Sequence, residues 1–254
     1  QKHPARSISQ RASFPHLFRH SGSEGTLQTI KPSVHIDGND AKDLKRECKN
    51  YEIVIDEQVS KPQDVYNLGI EVGDIVSFDT RTKITKSGFI KSRYLDDKAS
   101  VSAILHVIKY IKLNDIKPKY DINFLFSNYE EVGHGASCLP EEVEELLAVD
   151  MGCIGTDLAC TEQDVSICAK DSSGPYDYEM ITRLVELSKE NKLNYAVDIY
   201  PQYGSDVSAA LRGGNDIKGA LISPGVHASH GMERTHYDGV ENTMKLVVSY
   251  ITKY

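Results

Sequence analysis

The sequence lacks several things, and each absence removes a class of protein. No apolar run reaches 18 residues, so nothing reads as a membrane-spanning helix. There is no excess of basic residues. Lys and Arg number 29 against 37 Asp and Glu, for a net charge of −8, which argues against binding nucleic acid by phosphate neutralisation. The five cysteines (Cys48, Cys138, Cys153, Cys160, Cys168) form no CxxC pair and are odd in number. That pattern reads as reduced thiols in a cytosolic protein, neither a disulfide framework nor a zinc cage. No internal repeat or low-complexity segment stands out. What remains is ordinary globular material: 254 residues, 40% hydrophobic and 26% charged.

The texture divides the chain in three. Residues 1–24 are rich in Arg and Ser, poor in acids, and show neither a helical nor a strand period. They read as a disordered or appended tail. Residues 25–92 carry short strand-like runs, EGTLQTI, SVHID, YEIVIDE and GDIVSFD, set off by turn residues. This stretch reads as a small β-rich domain. From residue 93 onward, helix and strand patterns alternate. ASVSAILHVIKYIK has one apolar stripe, and DINFLFSN reads as a buried strand. EEVEELLAVD reads as a short acidic helix entering a strand. YDYEMITRLVELSKENKL, DVSAALRGG and ENTMKLVVSYITKY follow as helices, with NYAVDIYP and KGALISPG as strands between them. Such alternation predicts an α/β domain over 93–254, with a parallel sheet covered by helices on both faces.

In such sheets, reactive side chains gather beyond the carboxyl ends of the strands. The sequence puts Asp96 and Asp97, Glu130 and Glu131, Asp150, Asp206, and His227 and His230 there. Taken singly, each has an ordinary structural reading: a helix cap, a solvated pair, a turn. Taken together they form a crowd of carboxylates that must share protons or hold cations. Carboxylate and imidazole donors without thiolate suit Zn²⁺, Co²⁺ or Mn²⁺. Two such ions about 3.5–4 Å apart can activate water and polarise a carbonyl.

The phrases GIEVGDIVSFD, SGFIKSRYLDDKAS, NYEEVGHGAS, LAVDMG, KDSSGPYDY, YGSD and SHGMERTH, in that order, resemble the dinuclear-metal aminopeptidases of the glutamyl and tetrahedral (TET) type. The likeness runs from about residue 25 to the end. It implies an α/β peptidase domain, with a mostly parallel sheet flanked by helices, and a small PDZ-like β-barrel. It implies divalent metal ions, up to two per chain, in a cytoplasmic enzyme that removes N-terminal residues from peptides. It implies a homo-oligomer between dimer and dodecamer. Residue by residue, Asp96 matches the carboxylate that bridges the metals. Glu130 matches the general base that takes a proton from the metal-bridging water. Glu131 and Asp150 match ligands of one metal each, and His230 matches the histidine paired with Glu131, with His227 as its alternative. Asp97 and Asp206 match supporting positions.

The family also carries a histidine ligand in an upstream H-x-D phrase, which this chain does not show before residue 25. His3, His16 and His20 stand there in other contexts. The expectation is one well-held metal, a weak second site and impaired activity. A non-catalytic peptide-binding scaffold is the rival reading. A glycosidase using Glu130 with a second carboxylate is a more distant one. Lys98, Arg93 and Arg234 could each meet an acidic substrate side chain or make structural ion pairs.

Overall fold

A computed structural model describes residues 10–13 and 22–253. Two compact units divide between Arg81 and Thr82, upstream of the boundary expected near residue 92. The first unit holds strands β1 (Gln10–Ser13), β2 (Glu24–Thr29), β3 (Tyr51–Ile55) and β4 (Ser77–Phe78). They form an antiparallel sheet in the order β3-β2-β1-β4. Strand β1 falls inside the expected tail. The rest of that stretch, including His3, His16 and His20, lies outside the described residues. The expected PDZ-like barrel is not formed: among the described residues β3 and β4 are the edges of an open sheet, and a closed barrel requires its edge strands to pair. SVHID is no strand. Its Val34–Asp37 stretch forms a helical turn, α1, followed by α2 (Asn39–Asp43). The third short helix, α3 (Pro62–Asn67), starts with proline at its first position, where a missing N–H costs nothing.

The second unit carries the larger core. Strands β5 (Lys83–Ile84) and β6 (Phe89–Ser92) lead into helix α4 (Leu95–Leu113). After α4 come β7 (Glu145–Val149), β8 (Gly152–Cys153), β9 (Val165–Asp171) and β10 (Gly174–Pro175). Helix α5 (Tyr178–Glu190), β11 (Tyr195–Ile199) and α6 (Asp206–Arg212) follow, then β12 (Lys218–Val226), β13 (Glu233–His236) and α7 (Tyr237–Lys253).

The central sheet runs β10-β9-β12-β7, with β11 beside β9 and β8 beside β12. The β11/β9, β12/β7 and β12/β8 pairs are parallel. The expected mostly parallel sheet is formed, with β9/β12 and β10/β9 as its antiparallel pairs. Apolar alternation marks a strand and its faces but carries no direction, so a mixed sheet reads the same as a parallel one. Strand β12 is the hub, buried from Gly219 to Val226. Its alternation sorts the two faces. Ala220 and Ile222 pack with Val165, Ile167 and the apolar stripes of α4, α5 and α7, while Leu221 packs with Cys168, Tyr200 and Val207 on the α6 side. A smaller sheet, β13-β6-β5, brings the end of β6 beside the start of β13.

Two expected elements differ. DINFLFSN forms no strand among the described residues. Phe124 packs against the core, but Leu125 and Phe126 are exposed. Apolar content alone does not make a strand without a neighbour to complete its ladder. Likewise residues 141–144 turn into β7 without a helix. No helix among the described residues is long and apolar enough to cross a membrane.

Leu184 lies on the fully buried stripe of α5 with Met180 and Leu187, whereas Glu186 on the same helix faces solvent. The expected outcome is a loss of about 2–5 kcal/mol for Leu184→Ala in urea unfolding, against a change within about 0.5 kcal/mol for Glu186→Ala.

Candidate metal centre

Three elements deliver the expected side chains to one place. The first is the junction of β6 and α4. Tyr94 adopts a left-handed backbone (φ 61°), and the Asp96–Asp97 peptide is cis. Asp96 leaves this turn with its side chain only 7% exposed. The second is a one-turn 3₁₀ segment, Glu130–Val132. Gly133 closes it with φ 81°, a conformation that suits glycine, and its N–H donates to the Glu130 carbonyl at 2.7 Å. The third is the loop from β12 to β13, where His230 also takes a left-handed backbone (φ 62°).

These turns bring together Asp96, Glu131 and His230, the three-donor group found among the described residues. One ligand atom from each lies within 4.8 Å of the others. The His230 Nε2 stands 3.2 Å from Asp96 Oδ2 and 3.3 Å from Glu131 Oε2. His227 is not in the group. Its backbone instead pairs with Arg234, through reciprocal hydrogen bonds of 2.8 and 3.1 Å. Asp150 stands at the end of β7, buried, and its Oδ1 accepts the Met151 N–H at 2.6 Å. It is not in the three-donor group, but it faces the same crowd electrostatically.

The crowding appears in the protonation energetics. Burial first, then the charges of Asp150, Glu131, Glu233 and Glu130, push Asp96 up to about 8. Burial, then Asp150, Glu131 and Asp206, push Glu130 up to about 8. Burial raises Asp150 to about 6, opposed by hydrogen bonds from Tyr203 and the Met151 N–H. Burial also holds Asp97 well above the usual range, and its Oδ1 has no hydrogen-bond partner among the described residues. Such a set is short of positive charge. A divalent cation fits it: hard and borderline ions take carboxylate and imidazole donors, and a cation would reverse the penalty that the neighbouring anions impose. Thiolate does not compete. Burial pushes the Cys153, Cys160 and Cys168 thiols up to about 12, and all five cysteines are unbridged.

Supporting groups hold the turns. Asp206, at the start of α6, accepts Ser127 Oγ at 2.6 Å and the Ala136 N–H at 3.2 Å, which ties both ends of the Glu130 turn to the helix. A Cβ at Gly135 would meet Asp206 Oδ1 at 2.5 Å and Ser127 Oγ at 2.7 Å, so that close approach needs glycine. Ser100 Oγ donates to the Asp150 carbonyl at 2.5 Å. Sequence reasoning missed two of these groups. Glu233 lies in SHGMERTH, a phrase whose histidines are the evident donors. Tyr203 lies two residues before the Ser205-Asp206 cap of α6, in the YGSD phrase. Sequence reasoning also passed over His35-Ile36-Asp37, an H-x-D phrase. It forms part of α1 in the first unit and is not in the three-donor group. Of the proposed cations for an acidic substrate, Arg234 is engaged by Glu162 and lies 3.8 Å over the Phe89 ring. Lys98 lies 5.0 Å over the Tyr94 ring.

The raised carboxylates carry a pH signature. Unfolded carboxylates ionise near about 4, whereas Asp96 and Glu130 hold their protons in the folded chain up to about 8. Between those values the unfolded chain binds fewer protons, so stability falls as pH rises through the window. The expected outcome in cation-free protein is a thermal midpoint that drops from about pH 5 to about pH 8. Added Zn²⁺ or Co²⁺ should raise it more at the upper end. A cation response equal at both ends would contradict the charge crowding.

Comparison with known proteins identifies the family. The profile of the M42 glutamyl aminopeptidase family matches residues 15–246. A Bacillus subtilis (strain 168) protein, "Putative aminopeptidase YhfE", is 50% identical over 228 residues, which cover 89% of this chain and 66% of that protein. The chain thus spans just under two-thirds of that relative's length. Among solved structures, aminopeptidase APDkam598 from the archaeon Desulfurococcus kamchatkensis superposes with a TM-score of 0.82 at 18% identity. That match covers 97% of this chain and 69% of the other. The Pyrococcus horikoshii TET1 peptidase, which can assemble into a tetrahedron or a large octahedral shell, superposes at 0.75 with 19% identity, covering 97% and 72%. The likeness to these two structures shows the shared fold, and the family profile with the YhfE identity shows the lineage. The chain belongs to the M42 glutamyl aminopeptidase family.

Proposed function

We propose that this chain is a metal-dependent aminopeptidase, releasing N-terminal residues from peptides by hydrolysis. The observation that carries the reading is the convergence of Asp96, Glu131 and His230 within 4.8 Å, in a chain of this family. In this reading these three residues hold one divalent ion of the Zn²⁺, Co²⁺ or Mn²⁺ kind. Asp150, with Asp96, offers two carboxylates for a second and weaker one. A bound ion of this kind supplies Lewis acidity, polarising a carbonyl oxygen and making water a stronger acid. The remaining work falls to the chain. Glu130 takes the proton of the attacking water and hands it to the departing amine, which suits a carboxylate beside the donor group but outside it. Tyr203 and the Met151 N–H keep Asp150 oriented. Asp206 keeps the Glu130 turn in place.

The wider reading follows the relatives. Self-association is proposed because TET1 can assemble into a tetrahedron or a large octahedral shell. The first unit is proposed as the small accessory domain expected from sequence. A cytoplasmic location is proposed, in keeping with unbridged cysteines.

Hydrolysis of an aminoacyl p-nitroanilide, with and without Co²⁺ or Zn²⁺, tests the activity. The expected outcome is cation-dependent release that a chelator abolishes and added metal restores. Glu130→Gln should lower kcat by about 10²–10⁴-fold while leaving cation binding intact. His230→Ala should weaken the cation itself. Equilibrium dialysis with metal analysis should count one tightly held ion per chain, and two tight ions would sink the one-site assignment. Cation binding with no hydrolysis of any aminoacyl amide would favour a peptide-binding scaffold.

A further inference from the structure

We propose that Glu233 is a positioning residue, a buried carboxylate bridge that sets the backbone of Asp96 and the backbone of His230 in register with one another. The proposal rests on the reading of Asp96 and His230 as cation ligands. Glu233 is 2% exposed and opens β13, directly opposite Ser92 of β6. Its two oxygens are divided. Oε2 accepts the Leu95 N–H and the Asp96 N–H, the latter at 3.1 Å. Oε1 accepts the His230 N–H at 2.9 Å.

One side chain therefore joins two ligand-bearing turns that are more than 130 residues apart in sequence. Each turn includes a left-handed residue without glycine's freedom, Tyr94 in one and His230 in the other. Such backbones persist only where their surroundings over-determine them. A carboxylate accepting several N–H groups is a strong and directional way to do that. The 3.2 Å approach of the His230 imidazole to the Asp96 carboxylate then follows from where the two backbones are held. Glutamine at this position keeps the shape but replaces one acceptor oxygen with an NH₂ group, so one of the two turns must lose its partner.

Asp198 supplies the control. It too is a buried carboxylate clamping backbone, accepting the Ala159 N–H at 2.8 Å and the Cys160 N–H at 3.0 Å, and it is not in the three-donor group. The experiment titrates cation-free full-length wild type, Glu233→Gln and Asp198→Asn with Co²⁺, followed by visible absorption. Alongside, amide hydrogen exchange is read by NMR. Co²⁺ affinity should fall about 10–100-fold in Glu233→Gln, with a changed ligand-field band, and should hold at the wild-type value in Asp198→Asn. A folded Glu233→Gln that binds Co²⁺ like wild type would overturn the proposal. So would an equal loss in Asp198→Asn, which would mark a merely structural effect. In wild type, the Leu95, Asp96 and His230 amides should be protected from exchange, and Glu233→Gln should deprotect the turn left facing its NH₂ group. Wild-type amides that exchange at open-turn rates, or a folded Glu233→Gln in which neither turn is deprotected, would also overturn it. Should Glu233→Gln not fold, the wild-type exchange rates decide. If wild type takes up no Co²⁺, the metal reading falls, and the exchange arm still decides the bridge.

Discussion

Asp96 is a carboxylate with almost no access to water and four acidic neighbours, Asp150, Glu131, Glu233 and Glu130. Most of the architecture around it makes sense as the means of holding that unfavourable arrangement in place. A carboxylate crowd of this kind is unstable as an array of bare charges. Protons relieve it at low pH, and a cation would relieve it above. The fold meets the constraint by fixing the backbone first. Two left-handed residues, a short 3₁₀ turn and a cluster of N–H donors on Glu233 and Asp206 set where each charge points.

The sheet provides the rigidity for this. Strand β12 is buried along almost its whole length and packed on both faces, so the loop leaving its end, with His230, starts from an immobile base. Strand β7, parallel to β12, ends at Asp150. The small β13-β6-β5 sheet folds the chain back so that the start of β13 meets the turn into α4. Asp150 and the loop with His230 thus follow the carboxyl ends of the parallel strands β7 and β12, while Glu131 comes from a 3₁₀ turn that no strand directly precedes.

Much of this was legible in the primary structure, for identifiable reasons. The stripes of α4, α5 and α7 and the buried run of β12 follow from apolar periodicity, which is local. The clustering of Asp96, Glu131 and His230 was legible because each sits just past a strand or turn signal and inside a phrase shared with a known family. The rest was not. The direction of β9 against β12 leaves no trace in alternation. DINFLFSN has the composition of a buried strand, yet ladder pairing depends on a neighbour, which composition does not report. The barrel expected of the first unit depended on closure, a property of edges and not of strands. Glu233 and Tyr203 escaped because the partners that give them a role, the Leu95 and Asp96 N–H groups and Asp150, lie far away in sequence.

By itself, then, the sequence determined the types of chemistry available: acidic and imidazole donors, thiols that carry no metal-binding spacing, a helix-and-strand alternation, and membership in the M42 aminopeptidase family. Only the tertiary structure decided which donors meet. His230 joins Asp96 and Glu131 while His227, three residues earlier, is drawn into a backbone pair with Arg234. Spacing along a chain places residues on the same loop. Which of them faces the centre depends on φ angles and on hydrogen bonds from residues more than a hundred positions away, and those exist only once the chain has folded.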